Sequence, residues 1–368
     1  MSSDITISID AMGGDYGPPS TVAGAALALK QLKAKHDNIK FLFFGREKDI
    51  NAELSKHKAL KKISEVRHTD SVVEATDKPS AALRKGKDSS MGLSIRAVKD
   101  GEADCVISGG NTGALMAMAK LILRPQSVVQ RPAIGSVFPT MNQPTLMLDL
   151  GANIQCSGEN LAQFGVLGAV YARSIMKVES PKVGILNIGS EDTKGHEDVQ
   201  SAAEILNASP NFPGEYYGFV EGNDIAKGTV DVIVTDGFTG NVALKTAEGI
   251  GKMSQTFIKD AFKSSLFAML GYLFCFGAMG RLKKKLDPRD YNGGLFLGLQ
   301  GICIKSHGGM DAYGFSRAVE VGAQMVRNDY LEKVSKEIER LVTETEALEA
   351  GNEDEKAVEE KAKTATAK

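Results

Sequence analysis

The sequence predicts an α/β fold in which a mostly parallel β-sheet lies between layers of helix. Three observations predict it. Short runs rich in Ile, Val and Phe recur along the chain, and each ends in a cluster of Gly, Asp or Asn. Ala/Leu-rich stretches with helical spacing separate those runs. No fixed-period repeat is present, which leaves the alternation of strand, polar glycine turn and helix as the organising pattern.

In chain order, strands are expected over residues 5–9, 39–44, 105–108, 146–150, 183–188, 232–235 and 302–305. Helices are expected over 21–32, 114–123, 161–176 and 198–206, with a further one starting near Val242. Two stretches break the pattern. Residues 264–280 carry no charge and are bracketed by Lys259 and Lys263 on one side and Arg281, Lys283, Lys284 and Lys285 on the other. Beyond about residue 341 the chain is rich in Glu, Ala and Lys, as in a fraying helix with a disordered end. The domain plan is therefore one α/β catalytic domain over 1–340, containing an apolar helical hairpin at about 256–286, and a charged tail over 341–368.

Composition narrows the function. At 368 residues and 42% hydrophobic, the chain can bury a large core, with room for two or so structural units. A net charge of −2, no tryptophan and 6% aromatic residues argue against a nucleic-acid coat. Cys105, Cys156, Cys275 and Cys303 are far apart and form no CxxC pair, so they read as buried thiols in a reducing cytosol. The first ten residues lack the basic start and apolar core of an export signal.

In open parallel sheets, ligands bind beyond the carboxyl ends of the strands. Six loops at such positions are glycine-rich: 10–18, 109–113, 151–153, 189–197, 236–241 and 306–309. Glycine lets backbone N–H groups approach an anion, and Ser, Thr and Asn add neutral donors. Any one of these loops is ordinary turn chemistry. Six of them, gathered on one edge, predict an anion pocket. Other chemistries lack their motifs: no GxxxxGK[ST] loop, no GxSxG elbow and no GxGxxG fingerprint occurs, and Gln200 stands where a zinc-protease helix needs its second His.

The segments IDAMGGDYGP (9–18), DKPSAALRKGKDSSM (77–91), ISGGNTGALM (107–116), LDLGAN (148–153), GSEDTKGHE (189–197), TDGFTGNVALK (235–245) and SHGGMDAYGF (306–315) carry more. Long, specific and in order, they resemble the acyl-carrier-protein:phosphate acyltransferase family from about Ile5 to about Asp329. The resemblance implies a Rossmann-like αβα fold similar to phosphate acetyltransferases and to isocitrate- and isopropylmalate-dehydrogenase-like enzymes, assembled as a homodimer. It implies reversible formation of acyl phosphate from a long-chain acyl-carrier protein and inorganic phosphate, the first step of the acyl-phosphate route to phosphatidic acid. It implies transfer of the product to a membrane glycerol-phosphate acyltransferase, with no metal and no organic cofactor. The enzyme is then cytoplasmic, held peripherally at the inner face of the membrane.

A phosphate oxygen can attack a thioester directly, since the leaving thiolate needs little acid help. What is required is alignment of two substrates and stabilisation of an oxyanion. Lys194 is the first candidate for that electrostatic work, against the ordinary alternative of a solvated surface lysine. Asn241 is the second, as a donor to the carbonyl oxygen or, alternatively, as a helix N-cap. His307 either moves a proton and binds phosphate or merely fixes a turn. Gly13, Gly14, Asp15, Gly110, Asn111, Thr112, Asn153 and Gly240 are the expected phosphate or substrate contacts, with Asp10 and Asp15 anchoring their loop. Arg84, Lys85 and Lys87 are candidates to receive an acidic carrier protein, or are a solvated charge run. Residues 264–280 are short for a spanning helix. They are either a dimer or core helix, or a hairpin that dips Leu266, Phe267, Leu270, Leu273 and Phe274 into the bilayer with basic residues at the headgroups.

Overall fold

The structure is a computed structural model that describes residues 4–33, 38–127, 129–285, 287–340 and 342–343, with the side chains of 33 and 283–285 excluded. The expected tail thus lies outside the described residues except for 342–343. Eleven strands form one sheet among the described residues: β1 (Ile5–Asp10), β2 (Ile39–Gly45), β3 (Ser64–His68), β4 (Cys105–Ser108), β5 (Ala133–Phe138), β6 (Thr145–Leu148), β7 (Lys182–Leu186), β8 (Glu215–Val220), β9 (Val232–Val234), β10 (Gly294–Leu297) and β11 (Ile302–Lys305). The helices are α1 (Pro18–Lys33), α2 (Glu47–Leu54), α3 (Lys58–Lys61), α4 (Pro79–Lys85), α5 (Ser90–Lys99), α6 (Thr112–Ile122), α7 (Gly158–Tyr171), α8 (Glu197–Ala208), α9 (Gly222–Lys227), α10 (Gly237–Lys263), α11 (Leu266–Lys285) and α12 (Ala312–Arg327).

The strand order is β3-β2-β1-β4-β11-β10-β5-β6-β9-β7-β8. The predicted mixed α/β architecture with a large, mostly parallel sheet is therefore present. Continuous apolar strands occupy the middle: Ile5, Ile7 and Ile9 of β1 and Val232, Ile233 and Val234 of β9 are all solvent-free. Strands buried on both faces read this way because helices cover both. On one flank α1 packs on α12, where Gly24 lies so close to Phe315 that an added Cβ would sit 2.8 Å from the Phe315 Cβ. Two prolines open α1, where a missing N–H costs nothing. On the other flank α7 packs on α8, and almost every residue of α7 is buried.

One feature was not visible in the sequence. β10 pairs antiparallel with both β11 and β5, and β5 pairs antiparallel with β6. The sheet consequently consists of two blocks that run in opposite directions. β1, β2, β3, β4 and β11 point one way, and β6, β7, β8 and β9 point the other. Strands of four to six residues, rising about 3.3 Å per residue, separate the two edges by roughly 13–20 Å.

Candidate functional site: two clusters on opposite edges

The six glycine-rich loops do not share an edge. Loops 10–18, 109–113 and 306–309 follow β1, β4 and β11 at one edge. Loops 151–153, 189–197 and 236–241 follow β6, β7 and β9 at the opposite edge. The expectation of a single pocket per chain is corrected accordingly. Loop position was inferred from strand order along the chain, and the three antiparallel pairings β11–β10, β10–β5 and β5–β6 leave β6, β7, β8 and β9 reversed relative to β1, β4 and β11.

At the first edge, Asp10 ends β1 and is fully buried. It accepts a hydrogen bond at 2.7 Å from Ser108 Oγ at the end of β4. The Gly110 N–H donates to the same Ser108 oxygen at 3.1 Å. The loops meet so tightly that a Cβ on Gly13 would lie 2.6 Å from Asp10 Oδ2 and 2.7 Å from Gly110 N. The Asp15 N–H donates to Gly308 O at 2.9 Å, tying in the third loop. The Asp10 carboxylate thus anchors the glycine loop, and at Asp15 the backbone N–H does so. Burial raises the Asp10 carboxyl above its usual value, opposed by the Ser108 hydroxyl, and its Oδ1 has no hydrogen-bond partner.

Lys305, the last residue of β11, reaches into the same place. Its Nζ donates to Gly109 O at 3.1 Å and to Ser306 O. Burial pulls its pKa down to about 8, against the upward pull of Asp10 and Asp15. Among the described residues no carboxylate stands within 4.0 Å of it. The sequence reading passed over it as the end of a strand. An isolated lysine closing the apolar run Ile302-Cys303-Ile304 was the available signal.

Asn111 has a different job from the one expected. It caps α6, its Oδ1 accepting from Ala114 N–H at 3.0 Å, while Nδ2 donates to Ala75 O and Asp77 O. Its side chain is spent on holding loop 75–77 against α6, and Thr112 and Gly113, in the first turn of that helix, are exposed. His307 is exposed. Its Nδ1 accepts from the Gly309 N–H at 3.2 Å, which assigns the neutral ring's proton to Nε2. Its own N–H donates to Asn292 Oδ1, and Asn292 Nδ2 donates to Ser306 Oγ and Gly314 O, so the turn is fixed from behind.

At the opposite edge, the organising residue is Asp149, which the sequence reading did not single out. It is fully buried. Oδ1 accepts from the N–H groups of Ile134, Gly151 and Ala152, and Oδ2 accepts from Asn153 N and Nδ2. Burial raises its carboxyl, and these donors oppose the rise. Asn153 is therefore a strut: its Nδ2 also donates to Pro132 O, and neither N–H is left for a substrate. A Cβ on Gly240 would collide with the Asp149 carbonyl, so glycine is required where α10 starts.

Asn241 is not an N-cap. Asp236 caps α10, accepting from Thr239 N–H at 2.9 Å, and Asn241 follows one turn later. It is exposed and stands over Gly151, whose added Cβ would lie 3.7 Å from the Asn241 Cβ. Lys194 is exposed in the loop after β7. Its backbone is pinned, N–H to Glu191 O and carbonyl to Asn187 Nδ2, while its ammonium has no acceptor among the described residues. Lys194 and Asn241 thus follow neighbouring strands on one edge with free polar ends, and His307 lies at the other edge.

The segment expected as a hairpin is two helices, α10 and α11, with a bend of 117° between them at residues 264–265. Its first arm begins at 237, well before the expected 256. No single described helix is long and apolar enough to cross a membrane; the bent pair passes that test together by length and composition. The core-helix reading is excluded, because Leu266, Phe267 and Phe274 are 78%, 86% and 90% exposed. Leu270 and Leu273 are exposed as well, as are Lys263 and Arg281. On α10, Phe238, Val242, Ile250, Met253 and Phe257 form a second exposed apolar stripe at helical spacing. Arg84, Lys85 and Lys87 are exposed on α4 and the turn after it, and the start of α4 abuts α6 through Pro79 and Gly113.

Comparison with known proteins adds the following. Residues 5–333 match the family model described as a fatty acid synthesis protein. The chain is 51% identical over 347 residues to the phosphate acyltransferase of Rhodospirillum centenum, spanning 94% of this chain and 96% of that one. It is 50% identical over 341 residues to the phosphate acyltransferase of Paramagnetospirillum magneticum, spanning 93% and 96%. Among solved structures, a phosphotransacetylase from Streptococcus pyogenes superposes with a TM-score of 0.58 at 15% identity, covering 89% of this chain and 94% of that one. The EutD phosphotransacetylase from Staphylococcus aureus superposes with a TM-score of 0.56 at 16% identity, covering 88% and 94%. At such identities these two establish a shared fold only.

Proposed function

From the premise that this chain belongs to the phosphate acyltransferase family and is an acyltransferase enzyme, we propose that it transfers a long-chain acyl group from acyl carrier protein to inorganic phosphate. The observation that carries the long-chain donor is the apolar hairpin α10–α11, which stands in solvent with Leu266, Phe267, Leu270, Leu273 and Phe274 uncovered. An acyl phosphate with a long chain is poorly soluble, and a protein that makes one beside the bilayer keeps it out of water. The exposed residues Arg84, Lys85 and Lys87 flank the loops at the first edge, where a positive patch suits an acidic carrier.

The chemistry calls for both clusters. Phosphate fits the first, with its glycine loops and the open N-terminus of α6. Lys194 and Asn241, whose polar ends are free, fit the carbonyl oxygen of the thioester. One chain holds these groups at opposite edges of its sheet. In this reading a second copy completes the site. α10 carries Asn241 in its second turn, between the exposed Phe238 and Val242. Pairing two chains along the α10 stripe buries that stripe and presents Asn241 and Lys194 of one chain to the phosphate loops of the other.

The reaction then runs as follows. An oxygen of hydrogen phosphate attacks the thioester carbon, and a C–O bond forms. The oxyanion is held by the Lys194 ammonium and the Asn241 amide. The C–S bond breaks, and the proton released by phosphate passes to the carrier thiolate, while the Nε2–H of His307 donates to a phosphate oxygen. The transfer is redox-neutral and consumes no further reactant. Incubating the purified protein with palmitoyl-carrier protein and phosphate tests this: palmitoyl phosphate must form and free carrier thiol must appear in equal amount. Turnover of acetyl-coenzyme A in place of the palmitoyl donor would overturn the long-chain assignment.

A further inference from the structure

We propose that Lys305 is the residue that binds the phosphate nucleophile by charge, at the meeting point of the three loops on the first edge. The proposal rests on the phosphate acyltransfer reading and adds a residue to it. Four observations carry it.

Lys305 ends a central strand whose preceding residues, Ile302, Cys303 and Ile304, are buried and apolar. Its ammonium is bonded only to two backbone carbonyls, Gly109 O and Ser306 O, one from each of two different loops. That leaves one of its three N–H donors for a ligand. A sequestered cation without an ion pair is expensive unless an anion arrives. The loops that meet here, residues 10–18, 108–113 and 306–311, contain no Arg and no other Lys. Every other donor they offer is neutral or is the His307 ring, so Lys305 supplies their one full positive charge. The neutral donors are nonetheless arranged for an anion, with the first-turn N–H groups of α6 beside Gly110.

The charged and titratable groups that act on Lys305 are Asp10, Asp15 and Cys303. Asp10 is hydrogen-bonded to Ser108 beneath the loops, and the Asp15 carboxylate lies against Gly308 and Gly309. Neither closes to ion-pair distance. With burial holding the Lys305 pKa near 8, the free enzyme loses this charge as pH rises through that value. Because a bound dianion favours the charged amine, phosphate affinity falls as pH rises above that value.

The test uses the full-length protein, palmitoyl-carrier protein and inorganic phosphate. The wild type is measured first; if it makes no palmitoyl phosphate, the acyltransfer reading fails before Lys305 is at issue. Given product, Lys305→Met is expected to raise the KM for phosphate at least tenfold and to leave the KM for the acyl donor within twofold. Its circular dichroism should match the wild type. In the wild type, 1/KM for phosphate should fall above about pH 8, and in Lys305→Met that limb should vanish. An unchanged phosphate KM overturns the proposal, as does an equal rise in both KM values. Where Lys305→Met does not fold, the wild-type limb decides alone: a phosphate KM that is flat from pH 7 to 9.5 overturns it.

Discussion

Replacing Leu270 and Phe274 together by Glu separates the two destinations of the apolar hairpin. Both side chains are exposed in the single chain, Leu270 by 54% and Phe274 by 90%. The double variant therefore removes almost no packing from the chain itself, and substitutions at such places change stability by about 0.5 kcal/mol or less. In a bilayer, burying an apolar side chain of this size contributes about 1.5 kcal/mol or more. Leu266, Phe267, Leu270, Leu273 and Phe274 together then supply about 7 kcal/mol, equivalent to a dissociation constant of roughly 10 μM. Removing two of the five forfeits about 3 kcal/mol, and two carboxylates near anionic headgroups add repulsion. Binding to vesicles should weaken at least a hundredfold. The assay is co-sedimentation with vesicles containing anionic lipid, at low and high salt, with palmitoyl phosphate synthesis and sedimentation velocity measured alongside. The expected result is loss of vesicle binding with unchanged activity and unchanged oligomeric state. Dissociation into single chains or aggregation would refute the membrane assignment and place α11 in an interface. Retained vesicle binding would refute it too.

Other consequences follow from the site. Lys194→Ala and Asn241→Ala should each lower kcat by about 10²–10³ while far-ultraviolet circular dichroism stays unchanged, the usual loss on removing one oxyanion donor; near-normal rates in both would remove these residues from the site. Reversing Arg84, Lys85 and Lys87 to Glu should raise the KM for acyl-carrier protein and flatten its salt dependence, with the KM for phosphate unaltered; an unchanged carrier KM eliminates the patch. Gly240→Ala forces a Cβ into the Asp149 carbonyl. It should cost about 1–3 kcal/mol of stability, seen as a thermal midpoint several degrees lower.

What the sequence revealed and hid follows physical lines. The expected strands at 105–108 and 302–305 match β4 and β11 to the residue, because continuous apolar runs between glycine clusters have few other readings. β3 and β8 escaped notice: they are outer strands, half-exposed, and their compositions, SEVRH and EYYGFV, are not core-like. β10 is four residues long, and no periodicity records strand direction. That silence about direction is what misplaced three of the six loops. Polar residues suffered a related ambiguity. Asn111 and Asn153 have the composition of a binding loop, yet their amides satisfy backbone carbonyls. Asp149 collects five donors and was hidden inside a motif recognised for its glycine.

The opposite placement of the two clusters leads to a test that only a shared site can pass. Lys194→Ala removes a group from the edge beyond β7, and Lys305→Met removes one from the edge beyond β11. If each site draws both groups from one chain, mixing the two variants gives only defective sites, whatever the pairing. If each site combines the β11 edge of one chain with the β7 edge of another, a mixed pair has one site with both defects and one site with neither. Random pairing of equal amounts makes half of all pairs mixed, and each mixed pair has one intact site of two. Assayed with phosphate well below its KM, mixing should therefore restore about a quarter of the wild-type rate, from a Lys194→Ala parent that is nearly inactive and a Lys305→Met parent that keeps about a tenth or less. Co-expression with two different tags, followed by tandem purification, isolates the mixed pairs and should raise the figure to about half. Recovery no greater than the average of the parents would show that the site is completed within one chain, by a closure of the two edges that the present arrangement of strands does not provide.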